Sequence, residues 1–166
     1  MTSELRVGIL GAGYIASWHA DAIRATPGAR LTAICDPARD AAEALAAAYG
    51  TAVFTDLAEM IAANACDVVH ILTPPNLHRD LAVQCLNAGL HVMVEKPVAL
   101  SVAEVGDMEA AATANDRQMG VCHNFLGLPS HERLKALRDR GDLGVVSAAQ
   151  VNWSLPLVPL RSGPYG

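Results

Sequence analysis

Short apolar runs of strand length alternate with longer segments of helical period along the first 122 residues. This alternation is typical of repeated β-α-β units, in which a helix connects two parallel strands. The runs are apolar throughout, as expected for strands of a parallel sheet that helices cover on both faces. Strands are predicted at 5–10, 31–35, 52–54, 68–72, 91–94 and 119–122.

Helical segments fill the gaps between these strands. Gly28, Gly50 and Gly89 supply stop signals, and Ser101 with Glu104 forms a capping box ahead of the last helix. The pattern therefore predicts an α/β fold, a doubly wound parallel sheet. Helices are predicted at 14–25, 38–49, 57–63, 77–88 and 102–115.

The pattern changes after Cys122. A charged helix is predicted at 132–140 and a strand at 145–153, and the remainder is rich in proline. One strand cannot form a sheet, and its open edge favours self-association into a homo-oligomer. The sequence thus predicts one complete domain over 1–122, followed by 123–166 as the beginning of a second, α+β domain that breaks off, as in a fragment or a shortened reading frame.

Charge and composition exclude several classes of protein. The net charge is −5 and no basic run occurs, so the attraction that nucleic acid or an anionic membrane requires is missing. No window approaches the roughly 18 apolar residues of a membrane span. The four cysteines lack metal-ligand spacing and lie in apolar stretches, which indicates core thiols in a reducing compartment. A cytoplasmic protein without a metal, nucleic-acid or membrane partner is expected.

A glycine-rich segment, GAGYIA, begins at Gly11 directly after the first predicted strand and opens a helix. Gly11 permits a tight turn, Gly13 lets the backbone approach a pyrophosphate, and the small Ala16 lets helix and strand pack closely. Free amides at the helix N-terminus would then face the phosphates. In this context the segment indicates a Rossmann dinucleotide-binding turn. The alternative is a loop in which the glycines serve turn geometry alone.

Asp36 ends the second predicted strand. A carboxylate there can accept both hydroxyls of the adenosine ribose and would repel a 2′-phosphate. This favours NAD over NADP, although Arg39 nearby could accept a phosphate. Because Asp36-Pro37 is also a good helix start, a capping role is the alternative, and one residue could fill both roles.

The segment Glu95-Lys96-Pro97 follows the fifth predicted strand. A lysine at the C-terminal end of a buried parallel strand faces the crevice where doubly wound folds bind ligands. Glu95 can hold or tune it, and Pro97 fixes the backbone beside it. An ion pair of structural value is the alternative. Lys135, the other lysine, lies on the charged helix, where a solvated role explains it.

The segment TPPNLH, from Thr73 to His78, follows the fourth predicted strand and so reaches the same crevice. Thr73 and Asn76 can offer hydrogen bonds, and the prolines hold an extended loop. His78 could equally cap or pack under the following helix. The remaining histidines within the predicted domain, His19, His70 and His91, have no evident partner and are interpreted as packing residues.

The order and spacing of these four features resemble those of the Gfo/Idh/MocA oxidoreductase family, over residues 5–153. The resemblance implies a Rossmann domain and an NAD-dependent dehydrogenase that moves a hydride to or from a hydroxyl or carbonyl of a sugar, inositol or related polyol. It further implies that Lys96 touches the nicotinamide ribose and the substrate, and that Asn124 lies near the nicotinamide or the substrate. The residues implied to line the cofactor are Gly11, Gly13, Tyr14, Ile15, Asp36, Thr73, Pro74, Asn76, His78 and Glu95.

Family members also carry a second domain whose first long helix usually completes the site with an aspartate and a histidine. The chain ends before that helix, so the expectation is a chain that binds cofactor and is inactive alone. The alternative to an enzyme is an NAD(P)-binding regulator without turnover. Retention of Lys96 disfavours it, because a sensor needs no group for proton transfer.

Overall fold

Six strands form one parallel sheet in the computed structural model, which describes residues 4–152 and 154. Across the sheet they follow the order β3-β2-β1-β4-β5-β6, and every neighbouring pair is parallel. The predicted doubly wound α/β fold is confirmed. In chain order the strands are β1 (Leu5–Leu10), β2 (Ala29–Cys35), β3 (Ala52–Phe54), β4 (Val68–Ile71), β5 (His91–Glu95) and β6 (Met119–Cys122).

The predicted helices are also present, with shifted ends. The first begins two residues later than predicted because the chain is still turning after Gly13. The last begins at Pro129 rather than at residue 132, since a proline at the first helical position loses no intrahelical hydrogen bond. The helices are α1 (Ala16–Ala25), α2 (Arg39–Ala47), α3 (Leu57–Ala62), α4 (His78–Asn87), α5 (Val102–Ala114) and α6 (Pro129–Asp139), with short 3-10 turns at Pro75–Leu77 and Asn124–Gly127.

Buried apolar side chains form two clusters, one on each face of the sheet. One joins Val7 and Ile9 of β1 to helices α1 and α2. The other joins Ile71 and Val94 to helices α4 and α5. Because the strands are covered on both sides, their sequences are apolar at consecutive positions, which is the pattern that predicted them. Helices α1 and α4, which follow the neighbouring strands β1 and β4, thus pack on opposite faces of the sheet.

Local signals at the helix starts act as predicted. The Glu104 amide donates to Ser101 Oγ at 3.2 Å, and Glu104 Oε2 accepts from the Leu100 amide at 2.9 Å. The capping box is therefore confirmed, with the glutamate reaching one residue further back than the usual box. Three of the cysteines, Cys35, Cys66 and Cys85, are buried core residues as predicted, and Cys122 is half-buried.

The described contacts separate into two units at the boundary between Cys122 and His123. The predicted strand at 145–153 is wrong over 145–152, where the structure describes no strand; Trp153 lies outside the described residues. Val145 is 96% exposed, and no strand within the described part of the chain pairs with it. None of the described helices has the length and apolar character that crossing a bilayer requires.

Candidate functional site

The candidate site lies where β1 and β4 are neighbours in the sheet. From this pair the strand order runs outward in opposite directions, so it is the switch point at which doubly wound folds open a crevice beyond the strand C-termini. The chain leaving β1 is the glycine turn, and the chain leaving β4 is the Thr73 loop. The chain leaving β5 carries Glu95 and Lys96. Three predicted motifs therefore meet at one edge.

The two glycines of the turn have different reasons to be glycine. Gly11 has a φ of +102°, and a Cβ there would lie 3.0 Å from the carbonyl carbon and oxygen of Leu72. Its amide donates to the Cys35 carbonyl at 2.8 Å, which anchors the turn on β2. A Cβ on Gly13 would instead meet nothing within 4 Å. Gly11 is thus required by the protein itself, whereas Gly13 borders open space.

The start of α1 is open toward this space. The residue before the helix, Ile15, provides no side-chain cap, and the Ala16 amide donates to the Gly13 carbonyl at 3.0 Å. Tyr14 is 75% exposed, Ile15 is half-buried, and Ala16 is fully buried against the sheet. The predicted close packing at Ala16 is confirmed.

Asp36 connects the glycine turn to the start of α2. Its Oδ2 accepts from the Ala12 amide at 2.7 Å, and its Oδ1 accepts from the Ala38 amide at 2.8 Å. Because α2 begins at Arg39, the second bond organises the turn ahead of the helix and is not a cap of its first turn. Each carboxylate oxygen keeps a lone pair for a further donor. The capping role considered for Asp36 is therefore wrong, because Ala38 is the residue that precedes α2, and the free lone pairs remain compatible with a ligand.

The loop after β4 presents a polar group without a partner. The hydroxyl oxygen of Thr73 is shielded from solvent and has no hydrogen-bond partner among the residues that the structure describes. Such a group costs free energy unless another molecule satisfies it. Pro74 and Asn76 lie exposed beside it.

His78 does not face the crevice. It is 0% exposed, and its Nε2 and Nδ1 lie 2.8 Å and 3.0 Å from the carbonyl oxygens of Thr73 and Pro97. The structure therefore supports packing under the loop, the alternative role considered for this residue, rather than a place on the cofactor surface. A buried imidazole N–H is satisfied by such a backbone acceptor.

Lys96 is exposed at the crevice edge, between two residues that are held. Its amide donates to Glu95 Oε2 at 3.0 Å, and its peptide bond to Pro97 is cis. Lys135 is exposed on α6, in agreement with its predicted solvated role. Asn124 belongs to the other unit, where it begins a short 3-10 turn, and its role stays a prediction.

A hydrogen-bonded chain of side chains lies behind Glu95, and it corrects the interpretation of two histidines. His19 on α1 places Nε2 3.0 Å from Glu95 Oε1, and its Nδ1 lies 3.0 Å from Nδ1 of His70 on β4. The two imidazole rings meet edge to face with centroids 5.1 Å apart. The prediction that His19 and His70 have no partner is therefore wrong.

His91 was also expected in the core, but it lies half-buried at the start of β5. There its Nδ1 accepts from the Gln118 amide at 2.9 Å. It is thus a polar link between strands β5 and β6 at the end of the sheet opposite the crevice.

The surroundings of His70 and Glu95 set the protonation states of these two side chains. Burial, followed by the neighbouring charge of His19, lowers the pKa of His70 to about 4, so its ring is neutral near pH 7. Burial acts to raise the pKa of Glu95, but hydrogen bonds from His19, Cys122 and the Lys96 amide outweigh it, and the pKa is lowered. Glu95 is therefore an ionised acceptor. A neutral His70 can donate to His19 Nδ1, which leaves the His19 proton on Nε2, facing Glu95.

His19 Nε2, a carboxylate oxygen of Glu95 and Cys122 Sγ lie within 4.8 Å of one another. A metal ion could bind these atoms, but the sequence predicts no metal. In this structure hydrogen bonds join the three groups. The sequence does contain a signal for these hydrogen-bonded side chains. His19 falls on the buried stripe of α1 with Ala16, Ala20 and Ile23, and a polar residue on such a stripe requires a partner.

These features define a class of protein. The fold is a Rossmann domain, and four features at one switch point fit a bound dinucleotide. They are the open glycine turn, the helix start without a side-chain cap, the unsatisfied Thr73 hydroxyl and the Asp36 carboxylate, which can bind a ribose. Residues 5–123 match the Gfo/Idh/MocA model, described as an oxidoreductase family with an NAD-binding Rossmann fold. The chain belongs to this family.

Named relatives support the same grouping. The chain is 36% identical over 151 residues to an inositol 2-dehydrogenase of Corynebacterium glutamicum, covering 87% of this chain and 44% of that protein. It is 31% identical over 161 residues to a Bacillus subtilis scyllo-inositol 2-dehydrogenase (NADP(+)), covering 96% of this chain and 49% of that protein. The chain thus spans less than half the length of these relatives.

Among solved structures, the WlbA dehydrogenase of Bordetella pertussis, in complex with NADH and UDP-GlcNAcA, is similar to this chain. The TM-score is 0.82 at 29% sequence identity, and the match covers 86% of this chain and 41% of the other. The fold and family predicted from the sequence are therefore confirmed.

Proposed function

We propose that this chain is the cofactor-binding part of an NAD-dependent oxidoreductase that acts on a hydroxyl or carbonyl of a sugar, inositol or related polyol. The observation that carries the proposal is the convergence of the open glycine turn, the unsatisfied Thr73 hydroxyl and the exposed Lys96 at one switch point. The dehydrogenases similar to this chain support the substrate class.

Each motif holds one part of the cofactor in this proposal. The amides around Gly13, Tyr14 and Ile15 at the start of α1 receive the pyrophosphate, because a helix N-terminus favours an anion. Asp36 accepts the hydroxyls of the adenosine ribose. Thr73, Pro74 and Asn76 form the wall toward the nicotinamide. Asn124 is proposed to lie near the nicotinamide or the substrate.

His78 and Glu95 contribute from behind this surface. His78 supports the Thr73 loop, and Glu95 holds the Lys96 peptide. The cofactor, when bound, supplies a hydride acceptor or donor. Lys96 is proposed to bind the substrate hydroxyl and to take up or return its proton, as a general acid or base must be within hydrogen-bond reach of the reacting oxygen.

The cofactor preference follows from Asp36. Its carboxylate would lie against a 2′-phosphate, so we propose NAD as the preferred cofactor and NADP as the weaker one. Arg39, the cation that could have compensated, is turned toward Glu43 at 3.4 Å on the exposed face of α2. One relative is named for NADP, so the preference needs its own measurement.

Calorimetric titration of the chain with NADH and NADPH tests the binding part of the proposal. We expect saturable binding with NADH preferred. Absence of binding to either cofactor would refute the assignment, and tighter binding of NADPH would refute the preference.

Turnover is a separate proposal. We expect little turnover from this chain alone, because hydride transfer needs a substrate held in near-attack geometry and the chain spans less than half of its relatives. Assays with NAD and a panel of inositols and sugars, on this chain and on a version extended through its natural downstream sequence, measure it. Lys96→Met should abolish turnover in the extended version. A regulator would bind NADH and show no turnover in either version.

The remaining expectations concern location and partners. We propose a cytoplasmic protein that does not bind nucleic acid, on the grounds of its acidic net charge. Self-association is proposed for the apolar segment around Val145, Val146 and Val151, all exposed here. Sedimentation of the chain tests self-association, and a monomer at all concentrations would refute it.

A further inference from the structure

Lys96 lies between two neighbours that histidines hold from opposite faces of the sheet. On the α1 face, His19 bonds to the side chain of Glu95. On the α4 face, His78 bonds to the carbonyl of Pro97. The Lys96 side chain is exposed and forms no hydrogen bond or ion pair with the described residues. The Lys96 backbone amide donates to Glu95 Oε2.

The His19 contact ties together two parts of the crevice that are far apart in sequence. His19 and Glu95 are separated by 76 positions, and His19 lies on the helix that the glycine turn opens. Glu95 uses one carboxylate oxygen for His19 and the other for the Lys96 amide. A carboxylate is rigid and planar, so fixing one oxygen fixes the direction of the other.

The groups that face Glu95 come from three elements. They are His19 on α1, with His70 of β4 behind it, Cys122 at the end of β6, and the Lys96 amide. The side chains of His19 and Glu95 are only 10% and 13% exposed, so solvent weakens their interaction little.

The His78 contact provides the second hold. Its Nε2 lies 2.8 Å from the Thr73 carbonyl oxygen and its Nδ1 lies 3.0 Å from the Pro97 carbonyl oxygen, so one ring lies between the loops after β4 and β5. A neutral imidazole can donate from one of these nitrogens only. We assign the donor to Nδ1, so the ring bonds to the loop that carries Lys96 and packs against the loop that carries the Thr73 hydroxyl.

We propose that His19 and His78 are positioning residues that together fix the Lys96 backbone in the crevice, His19 through Glu95 and His78 through Pro97. The proposal rests on the proposed function, because it assumes that Lys96 faces a bound cofactor. Neither histidine touches the cofactor in this proposal. Each acts on the placement of the lysine.

The geometry allows a sharp choice of variants. An asparagine amide occupies roughly the place of histidine Nδ1, and a glutamine amide roughly that of Nε2. At position 19, His19→Gln keeps the donor to Glu95, whereas His19→Asn keeps only the contact toward His70. At position 78, His78→Asn keeps a donor toward the Pro97 carbonyl, whereas His78→Gln places its donor toward the Thr73 carbonyl only. The conservative replacement is thus opposite at the two positions.

A spectroscopic readout on Lys96 separates positioning from general stability. The chain has two lysines, Lys96 and Lys135, so reductive methylation with ¹³C gives two lysine signals in the NMR spectrum. In the unsubstituted chain, NADH should shift the Lys96 signal and leave that of Lys135, which is exposed on α6. Calorimetry on unlabelled protein measures NADH affinity separately.

We expect His19→Asn and His78→Gln to lose most of the Lys96 shift, and His19→Gln and His78→Asn to retain it. If Asn and Gln behave alike at both positions, or if their order is reversed, the positioning proposal is overturned while the proposed function stands. If NADH does not bind the unsubstituted chain, the proposed function fails. If NADH binds without shifting Lys96, the positioning proposal fails.

A measurement on the unsubstituted chain covers variants that do not fold. Nitrogen-15 spectra of the histidine rings report which nitrogen carries the proton. His19 must carry it on Nε2 to donate to Glu95, and a His19 tautomer protonated on Nδ1 alone would overturn its part in the proposal.

Discussion

The two sides of the crevice are built differently. The glycine-turn side, made of Gly11, Gly13 and Asp36, is held by backbone amides and carbonyls: Gly11 bonds to Cys35, and Asp36 bonds to Ala12 and Ala38. The lysine side, made of Thr73, Glu95 and Lys96, is held by side chains from α1, β4 and α4.

This difference concerns how far each interaction reaches along the chain. On the glycine-turn side, Ala12 and Asp36 are 24 positions apart, and the bonds of this side join backbone amides of the turn to the end of β2 and the residue after it. On the lysine side, His19 and His70 are 51 positions apart, and His19 and Glu95 are 76 apart. The first side is therefore sensitive to backbone geometry, and the second to distant side chains and to their protonation.

The largest expected effect separates two roles within the glycine-turn side. Gly11→Ala should destabilise the fold by about 1–3 kcal/mol for the positive φ alone, with more for the backbone contact at Leu72. Gly13→Ala should leave the free energy of unfolding within about 0.5 kcal/mol, since its Cβ meets nothing, yet lose NADH affinity. Urea unfolding and NADH titration of both variants measure this. Equal loss of stability from the two would contradict the distinction.

Acid should weaken the lysine side through His70. The folded pKa is about 4 and the unfolded value about 6.5, so the unfolded state binds the extra proton between these values. Stability is then unaffected by His70 above about pH 6.5 and falls by up to about 3 kcal/mol as the pH drops to 4.

The matched test uses two asparagine variants. His70→Asn keeps a donor toward His19 and removes the titration, so its free energy of unfolding should depend less on pH between 6.5 and 4.5. His123→Asn, at an exposed histidine, should follow the unsubstituted chain. Identical pH profiles for all three proteins would show that His70 is not the acid-sensitive group.

A smaller effect is expected on cofactor choice at Asp36. Asp36→Asn keeps an acceptor for the Ala12 amide and removes the negative charge, so the preference for NADH over NADPH should narrow by about tenfold, roughly 1.4 kcal/mol. Titration with both cofactors gives the ratio. Glu109→Gln on the exposed face of α5 is the charge-matched control and should leave the ratio unchanged. An unchanged ratio in Asp36→Asn would place the selectivity elsewhere.

The smallest expected effect tests a local signal on the lysine side. Ser101→Ala removes the cap of α5, at the end of the loop that carries Lys96, and should cost about 1 kcal/mol of unfolding free energy. Ser130→Ala, at an exposed position in the first turn of α6, replaces the same residue type away from that loop. Thermal unfolding measures the stability of both variants. If Ser101→Ala loses no more stability than Ser130→Ala, the cap contributes little.

Patterns of neighbouring residues are enough to predict the sheet, its covering helices and the motifs of the crevice. Parallel strands buried on both faces are apolar at consecutive positions, and a glycine turn or a capping box is a pattern of neighbouring residues. The family resemblance followed from the order of those motifs. The strand predicted at 145–153 failed because a strand exists only with a partner, and a partner is not a local property.

The roles of His19, His70 and His78 depend on contacts that form only in the folded chain. Each was interpreted from its immediate neighbours in sequence, but each meets its partner across the sheet or between loops. Hydrogen bonding depends on distance in space, and residues 76 positions apart carry no joint pattern in one sequence. The positions of the cofactor motifs could thus be predicted from local chemistry, whereas the side chains that hold Glu95 and Pro97 beside Lys96 were set by the packing of helices α1 and α4 against the sheet.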